Sequence, residues 1–337
     1  MNNELAMRVR GPAATLRTAF WNYDRTAPLV DGRVGIKDIR LAIEVLRPEE
    51  TFARAYQGDG FDLCEVSFSN SVTAISRNAC PYVLIPVFLS RAFRHSSIYI
   101  RADRGIVGPE DLKGKTLGLQ EYDMTAAVVV RGILRDSYGI TPSDIQWKVG
   151  EAERLKPLEF PTGQPPAGVS VDVLPPGATL EGRLLAGELD AMISLRVPSA
   201  FAQRHPLVSR LFADPVTAER EWFQKTGIFP IMHAVGVSKG LAARCPGLTR
   251  RVYEAFLSAK NLAVADLAVT QAPKVTLPWP HAALADARAL MGDDPWPYGI
   301  AGNRQVLETQ LRWSRQDGLQ ARPVSLAEIF APDCMET

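Results

Sequence analysis

Short apolar runs alternate with longer amphipathic stretches along most of the chain, and this alternation constrains the fold more than any other feature. Apolar runs of about four to eight residues are typical of buried strands, whereas the stretches between them have the 3.6-residue periodicity of helices. Strands that alternate with helices form α/β layers with largely parallel sheets. Strands are predicted over residues 16–23, 39–45, 61–66, 79–87, 97–100, 116–119, 145–149, 191–194 and 231–237.

Helices are predicted in four of the intervening stretches, over residues 50–56, 124–138, 180–186 and 248–266. Gly139 follows the second of these, and glycine is the preferred residue where a helix ends in the left-handed conformation. Two stretches that contain Pro and Gly, 156–176 and 271–280, are predicted to be surface loops, and the first is long enough to cover a site.

The charge balance argues against a nucleic-acid-binding protein. The 38 Lys and Arg residues nearly cancel the 37 Asp and Glu residues, so the basic excess typical of such proteins is missing. The cysteines form no CxxC pair and do not combine with histidine at the spacing of a metal site. We therefore expect reduced thiols and no metal site from the four cysteines, Cys64, Cys80, Cys245 and Cys334.

The N-terminal segment bears on the location of the protein. MNNELAMRVRGPAATLRTAFWNYD lacks the apolar run of about 7–15 residues that a secretory signal needs. No stretch of the sequence approaches the roughly 20 apolar residues of a membrane span. We therefore expect a cytoplasmic protein that interacts neither with membranes nor with nucleic acid.

Three segments have an order of elements that is found in a known fold: YQGDGFDLCEVSFS, GPEDLKGKTLGLQEYDMTAAVVVRGILRDSYGITPSDIQWKVG and LEGRLLAGELDAMIS. They resemble the type II periplasmic binding proteins. That resemblance implies two α/β lobes, each a mainly parallel sheet flanked by helices, with the ligand in a cleft between them. It also implies one lobe from residues 15–97 plus 235–337, a second from 98–230, and hinge crossovers near 97–100 and 230–234.

Polar and charged residues follow most of the predicted strands, which is where ligands bind in open parallel sheets. Several of them are arginines, and a guanidinium group can bind a carboxylate with two parallel hydrogen bonds. The helix predicted from residue 124 would add an N-terminus, which also attracts anions. Because no glycine-rich phosphate loop is present, we expect a carboxylate ligand with two or three carboxyl groups rather than a nucleotide.

The segment FPIMHAVGV, residues 229–237, places His233 in the middle of an otherwise apolar strand. One interpretation is a core histidine whose ring donates to a backbone carbonyl. The other is an acid–base group at the mouth of the cleft, because imidazole titrates near neutral pH. The expected hinge near residues 230–234 favours the second. His95, in SRAFRHSS, is a further acid–base candidate, whereas His205 and His281 have the surroundings of surface or loop residues.

Six segments distributed over residues 22–304 together resemble a cytoplasmic branch of this fold: NYDRTAPLVDGRV, GFDLCEVSFS, PVFLSRAFRHSSIYIR, GLQEYDMTAAVVVRGIL, GIFPIMHAVGV and DDPWPYGIAGNR. They resemble 4,5-dihydroxyphthalate decarboxylase and its close relatives. The resemblance implies a non-oxidative decarboxylation of a hydroxylated aromatic dicarboxylate. The reaction would convert 4,5-dihydroxyphthalate to 3,4-dihydroxybenzoate and CO2 by protonation of the ipso ring carbon. No cofactor is predicted, and a divalent metal chelated by the catechol oxygens stays an open alternative.

The site assignment that follows from this resemblance rests on position in the sequence. His95 and His233 are the acid–base candidates, and either can be the acid or the base. Tyr122 or Glu65 would orient the catechol hydroxyls. The predicted substrate-binding residues comprise three arginines for carboxylates, a fourth that closes down from the second lobe, and four smaller polar residues: Arg25, Arg91 and Arg94; Arg196; and Asp24, Ser67, Asp123 and Thr125.

Two other functions remain open at this point. The first is a solute-binding protein for an aromatic or small carboxylate, in transport or sensing, because the fold is shared and does not determine function. The second is another enzyme of the same fold that acts on a different small aromatic acid. The C-terminal segment, residues 305–337, can either close the first lobe or form a dimer contact, so a homo-oligomer is also open.

Overall fold

The computed structural model describes residues 14–57, 60–151 and 165–337. The strands are β1 (Ala14–Phe20), β2 (Ile39–Val45), β3 (Leu63–Ser67), β4 (Tyr82–Arg91), β5 (Ile98–Arg101), β6 (Thr116–Leu119), β7 (Gln146–Val149), β8 (Val171–Val173), β9 (Ala191–Ile193), β10 (Val208–Arg210) and β11 (Ile231–Ser238). The helices are α1 (Ala27–Val30), α2 (Pro48–Tyr56), α3 (Phe68–Ser76), α4 (Thr125–Tyr138), α5 (Leu180–Ala186), α6 (Ser199–Ala202), α7 (Pro215–Thr226), α8 (Lys239–Arg244), α9 (Leu248–Leu267), α10 (Pro280–Met291), α11 (Arg304–Gln316) and α12 (Leu326–Ile329).

The described strands form two sheets, and the chain passes twice between them. The first sheet has the order β2-β1-β3-β11-β4 and the second has the order β10-β5-β9-β6-β7-β8. In the first sheet only β11 runs against its neighbours, and in the second only β5 does. The strand β5 follows the passage into the second lobe, and β11 follows the return to the first. The predicted two-lobed α/β fold with mainly parallel sheets is confirmed, while the lobe boundaries stay a prediction.

All predicted strands are present, and the differences lie at their ends. Prediction and structure agree on the bounds of β2 and β6, whereas β4 lies several residues further along the chain than expected. The chain turns between α3 and β4 at Asn78, which adopts a left-handed conformation (φ 57°). The strands β8 and β10 were not predicted, since three-residue edge strands are too short to show a hydrophobic period. β8 lies within the predicted loop 156–176, of which residues 156–164 are outside the described residues.

The four predicted helices correspond to α2, α4, α5 and α9. Gly139 has φ 64°, which confirms that it ends α4 in the left-handed conformation. The helix α3 was not predicted, because it contains several Ser, Thr and Asn residues, which have low helix propensity, yet every residue of it is buried. Within the described part of the chain, no helix is both long enough and apolar enough to span a membrane.

The C-terminal segment contacts both lobes. The Ala331 amide donates to the carbonyl of Leu84 in β4, which fixes the segment to the first sheet. The helix α11 packs on α4 of the second lobe, and the residue after its C-terminus, Asp317, accepts from Arg131 Nε at 2.7 Å in a fully buried ion pair. The segment therefore closes the first lobe, as one of the two alternatives proposed, and it also attaches that lobe to the second.

The contact between α4 and α11 gives a first test of the fold. A Cβ atom added at Gly132 would lie 2.1 Å from Cδ2 of Trp313, a side chain with no exposed surface. Overpacking typically costs about 1–3 kcal/mol, and we expect Gly132→Ala to lower the free energy of unfolding by that amount. Urea denaturation measures it. Gly35→Ala, where a Cβ meets no atom within 4 Å, is the control. An unchanged stability for Gly132→Ala would contradict the described packing.

Candidate active site

A cavity of about 110 Å³ lies between the lobes. Its size is of the order of a cavity that holds one benzene molecule, roughly 150 Å³, so it suits a ligand with a single ring. The first lobe contributes residues of α2, β3, α3 and β11 and of the segment after β4, and the second contributes the start of α4 and the segments after β6 and β9. The lining residues are Glu49, Phe52, Ser67, Asn70, Arg94, Gln120, Glu121, Met124, Thr125, Ala126, Leu195, Met232 and His233.

His233 lines this cavity and is paired with a buried carboxylate. It lies opposite Ser67 in the register of β11 and β3, so the Glu65 side chain, two residues along β3 on the same face, reaches its ring. The distance from His233 Nδ1 to Glu65 Oε1 is 2.6 Å. Glu65 also accepts hydrogen bonds from the Tyr23 hydroxyl at 2.7 Å and from the Trp21 amide at 3.1 Å. Three donors therefore surround one carboxylate that has no exposed surface.

The protonation of this pair follows from its surroundings. Burial by itself would raise the pKa of Glu65, but the hydrogen bond and charge of His233, with the hydrogen bonds from Tyr23 and the Trp21 amide, hold that pKa below its usual value. Glu65 is then an anion that only accepts, and His233 Nδ1 carries the proton between them. Because Nδ1 is engaged, Nε2 is the nitrogen that remains for a ligand in the cavity. Phe52 packs edge-on against the imidazole, with 4.9 Å between the ring centroids, and holds its orientation.

Arg94 brings a positive charge to the cavity. Its Nε donates to Met232 Sδ at 3.2 Å. Burial lowers its pKa to about 10, against the opposing effect of the Glu219 charge, so the guanidinium is still protonated at neutral pH. Among the described residues, no carboxylate lies within ion-pair distance of Arg94. A partly buried cation in this state is suited to an anionic ligand.

Two of the other predicted arginines bind protein carbonyls instead of facing the cavity. Arg91 donates to the carbonyls of Phe229 at 2.8 Å and Pro297 at 2.9 Å, and it also donates to Asn303. Arg25 donates to the Leu89 carbonyl and lies between two aromatic rings, 4.1 Å from the ring centroid of Tyr23 and 4.3 Å from that of Trp296. Its other contact is with Asp24, which is exposed. The structure thus places Arg25, Arg91 and Asp24 away from the cavity lining.

His95 also lies away from the lining. Its ring contacts Phe212 and Trp222, with centroids 5.0 Å and 5.5 Å away. Within the described part of the chain, neither ring nitrogen has a hydrogen-bond partner. Burial lowers the pKa of His95 to about 4, so the ring is neutral near pH 7. The hypothesis of two histidines at the cleft is therefore reduced to His233.

The remaining predicted residues fall into three groups. Ser67 and Thr125 line the cavity, and 3.1 Å separates their hydroxyl oxygens. Tyr122 and Asp123 are buried outside the lining; burial raises the pKa of Tyr122 to about 12. Arg196 is not among the lining residues, and it pairs with Glu49 of the first lobe at 3.5 Å. Both side chains of that pair are exposed, and such pairs stabilise a protein by only about 0–1 kcal/mol.

Several lining residues were not among the predicted ones. Asn70 follows β3 in the run SFSN, so the strand-end argument that selected Ser67 also applies to it. Glu49, Phe52 and Met232 have no local signal of that kind, because α2 and β11 reach the cavity only through the tertiary fold. Among the residues described, no three His, Cys, Asp or Glu side chains are grouped so that they could hold a metal ion.

Two known proteins that have the same name are similar in sequence to this chain. No protein-family model matches the chain. The chain is 44% identical over 322 residues to a 4,5-dihydroxyphthalate decarboxylase of Comamonas testosteroni, which covers 96% of this chain and 98% of that protein. It is 45% identical over 209 residues to a protein of the same name from Pseudomonas putida, covering 62% of this chain and 81% of that one.

A solved structure shows the fold. The periplasmic aliphatic sulphonate binding protein SsuA of Escherichia coli aligns with a TM-score of 0.54, over 96% of this chain and 99% of that chain. Its sequence identity is 14%, so the likeness concerns the fold alone.

Proposed function

The chain belongs to the 4,5-dihydroxyphthalate decarboxylase family and is a carboxy-lyase, and we propose that His233 donates the proton that replaces the departing carboxyl group. The substrate on this proposal is 4,5-dihydroxyphthalate and the organic product is 3,4-dihydroxybenzoate. The observation that carries the proposal is the pair of His233 and Glu65. A carboxylate on Nδ1 stabilises the imidazolium form, whose Nε2–H is then an acid at the cavity.

The proposed reaction balances with one proton. The hydroxyl para to the ipso carbon supplies electron density to that carbon, which takes the proton from His233 Nε2 as a new C–H bond forms. The bond between the ring and the carboxylate carbon then breaks, and its electron pair returns to the ring. CO2 leaves, aromaticity is restored, and water in the cleft reprotonates His233. The overall change is the consumption of one proton for each CO2 released.

The positive charge of Arg94 at the cavity supports this chemistry. Arg94 provides the positive charge that a dianionic ligand needs when it leaves water. Enclosure between two lobes excludes bulk water and strengthens each of these interactions. A proton relay of this kind is also more than a carboxylate receptor requires, which favours the lyase over the solute-binding alternative.

The first experiment tests the function and its cofactor requirement together. We propose that the reaction needs no metal or organic cofactor, because a proton donor and anion-binding groups supply what the mechanism uses. The protein is treated with a chelator, mixed with 4,5-dihydroxyphthalate, and assayed for 3,4-dihydroxybenzoate and CO2. Turnover at an unchanged rate supports the proposal. A loss that added divalent metal restores contradicts the cofactor-free mechanism, and saturable binding without turnover favours a receptor.

Replacement of Arg94 gives a second prediction for this site. Arg94→Met removes a charge-assisted interaction of about 1.5–3 kcal/mol, so we expect KM to rise about 10- to 100-fold while kcat changes less. Steady-state kinetics measure both. Arg91→Met is the matched control, because Arg91 binds protein carbonyls and its loss should lower stability rather than affinity. An unchanged KM in the folded Arg94 variant would exclude Arg94 from the substrate site.

We also propose that the protein is cytoplasmic. All four of its cysteines are free thiols, and three of them are buried. Free thiols are usual in a reducing compartment. Fractionation of cells that express the full-length protein tests this, and recovery from the periplasm would contradict it.

A further inference from the structure

Asn70 presents an unused hydrogen-bond donor at the cavity. The residue lines the cavity and is only 6% exposed. Its Nδ2 is buried and has no hydrogen-bond partner among the described residues. Buried amide groups in proteins are almost always hydrogen-bonded, because leaving one unpaired is unfavourable. An acceptor on a bound ligand would satisfy this donor.

A chain of hydrogen bonds sets the orientation of the Asn70 amide. The Ser69 amide donates to Thr125 Oγ1 at 3.0 Å, so the Thr125 hydroxyl can donate in turn to Ser67 Oγ, 3.1 Å away. The Ser67 hydroxyl then donates to Asn70 Oδ1. Because Oδ1 is the acceptor at the end of this chain, Nδ2 is the atom that remains for the ligand.

Two helix N-termini meet at the same place. Ser67 immediately precedes α3, and Thr125 and Ala126 are the first residues of α4. The first amides of a helix have no partner within it, and they lie at the positive end of the helix dipole. Neither helix has an acidic side chain in its first turn, so no residue of either first turn already supplies the negative charge. Together with the Asn70 amide, these features define an anion site, here called the Asn70 subsite, of Ser67, Asn70, Thr125 and Ala126.

We propose that the Asn70 subsite binds the carboxylate that leaves as CO2, and that Arg94 binds the carboxylate that remains in the product. This inference rests on the proposed function and names the substrate class as an ortho-dicarboxylate. Its physical reason is the difference in charge between the two sites. The subsite consists of uncharged donors, which lose less binding energy than a guanidinium when the negative charge of the ligand disappears. Strong binding of the departing group would stabilise the substrate more than the transition state and slow the reaction.

Location supports the same assignment. His233 lies directly opposite Ser67 in the register of β11 and β3. The proton donor is therefore adjacent to the subsite, and a carboxylate held there has its ring carbon beside the imidazole. Removal of that carboxylate leaves a monocarboxylate that has lost its contact with the subsite and keeps its contact with Arg94, which favours release of the product.

The two ligands of the reaction separate the two sites, because 3,4-dihydroxybenzoate lacks one carboxylate of 4,5-dihydroxyphthalate. Binding of both is measured by calorimetry in protein that carries His233→Ala, so that the dicarboxylate is not consumed. Addition of Asn70→Leu should weaken the binding of 4,5-dihydroxyphthalate about 10-fold and the binding of 3,4-dihydroxybenzoate less than about 3-fold. Addition of Arg94→Met should weaken the binding of both ligands. Thr73→Val, on the same buried helix but outside the cavity lining, should weaken neither.

Each other result overturns the inference. If Asn70→Leu weakened the binding of both ligands equally, the subsite would either bind the retained carboxylate or have only a structural role. If it weakened the binding of neither ligand, the subsite would not be part of the ligand site. The same comparison with phthalate and benzoate as inhibitors, in protein that retains His233, covers the case in which the double variants do not fold. Failure of the proposed function is distinguished separately, since it shows as the absence of CO2 release by the unsubstituted protein.

Discussion

Replacement of His233 by alanine is expected to lower kcat by about 100- to 10,000-fold, the range that a positioned acid–base group contributes. The substituted protein would keep its carboxylate-binding groups, so the affinity for substrate should change much less. The imidazole also donates to the buried Glu65 carboxylate, and its loss leaves, among the described residues, the Tyr23 hydroxyl and the Trp21 amide as donors to that carboxylate. Some loss of stability should therefore accompany the loss of turnover.

A second substitution separates catalysis from folding. His233→Gln supplies an amide that can donate to Glu65 but cannot transfer a proton at neutral pH. We expect it to lose as much activity as His233→Ala while it unfolds closer to the temperature of the unsubstituted protein. Turnover and thermal denaturation measure the two effects. Near-normal turnover in either folded variant would restore the interpretation of His233 as a core histidine.

Replacement of Glu65 by glutamine is expected to have a similarly large effect, about 100- to 10,000-fold on kcat, by analogy with the loss of the carboxylate in other histidine–carboxylate pairs. The amide has nearly the same shape, but it carries no charge to stabilise an imidazolium, and its NH2 group can donate to Nδ1 and change the tautomer. Tyr23→Phe is the matched control, because it removes the 2.7 Å hydrogen bond to Glu65 and keeps the carboxylate. We expect kcat of that control to fall by less than about 10-fold. Activity of Glu65→Gln close to that of the unsubstituted protein would show that the charge is not required.

The same substitution has a consequence for stability in acid. The pKa of Glu65 is lower in the folded protein than its usual value of 4.5. A carboxylate of this kind contributes stability that is fully present above its usual pKa and is lost as the pH falls through the folded-state value. As the pH falls below about 4.5, the free energy of unfolding should therefore decrease less in Glu65→Gln than in the unsubstituted protein. Thermal denaturation over a pH series measures the difference.

Part of the site was predicted from the polar residues that follow predicted strands. Ser67, Arg94, Thr125 and His233 line the cavity, and Glu65 contacts one of them. The predicted task of Glu65, to orient catechol hydroxyls, differs from its observed place behind the imidazole. Because such patterns identify a strand end without giving the direction of each side chain, they identified the right region more reliably than the right contact.

The run SRAFRHSS shows why the rest of the site escaped prediction. Arg94 reaches the cavity, whereas Arg91 and His95 from the same run do not. Arg91 is still inside β4, and carbonyls from residues 229 and 297 occupy its guanidinium. His95 lies against Phe212 and Trp222 from a distant part of the chain. In both cases the partners come from segments that local sequence does not bring together.

The sequence by itself determined the types of the main elements, because hydrophobic periodicity and turn residues act over a few neighbouring positions. The two-lobed fold and the family followed from the resemblance of whole segments to known proteins, which periodicity does not supply. Only the tertiary structure decided which side chains share the cavity. Glu65 and His233 are separated by 168 residues, and the hydroxyls of Ser67 and Thr125 meet across the lobes from positions 58 residues apart. These contacts depend on strand register and lobe packing, where each side chain is placed by the burial of many others, so no local pattern encodes them.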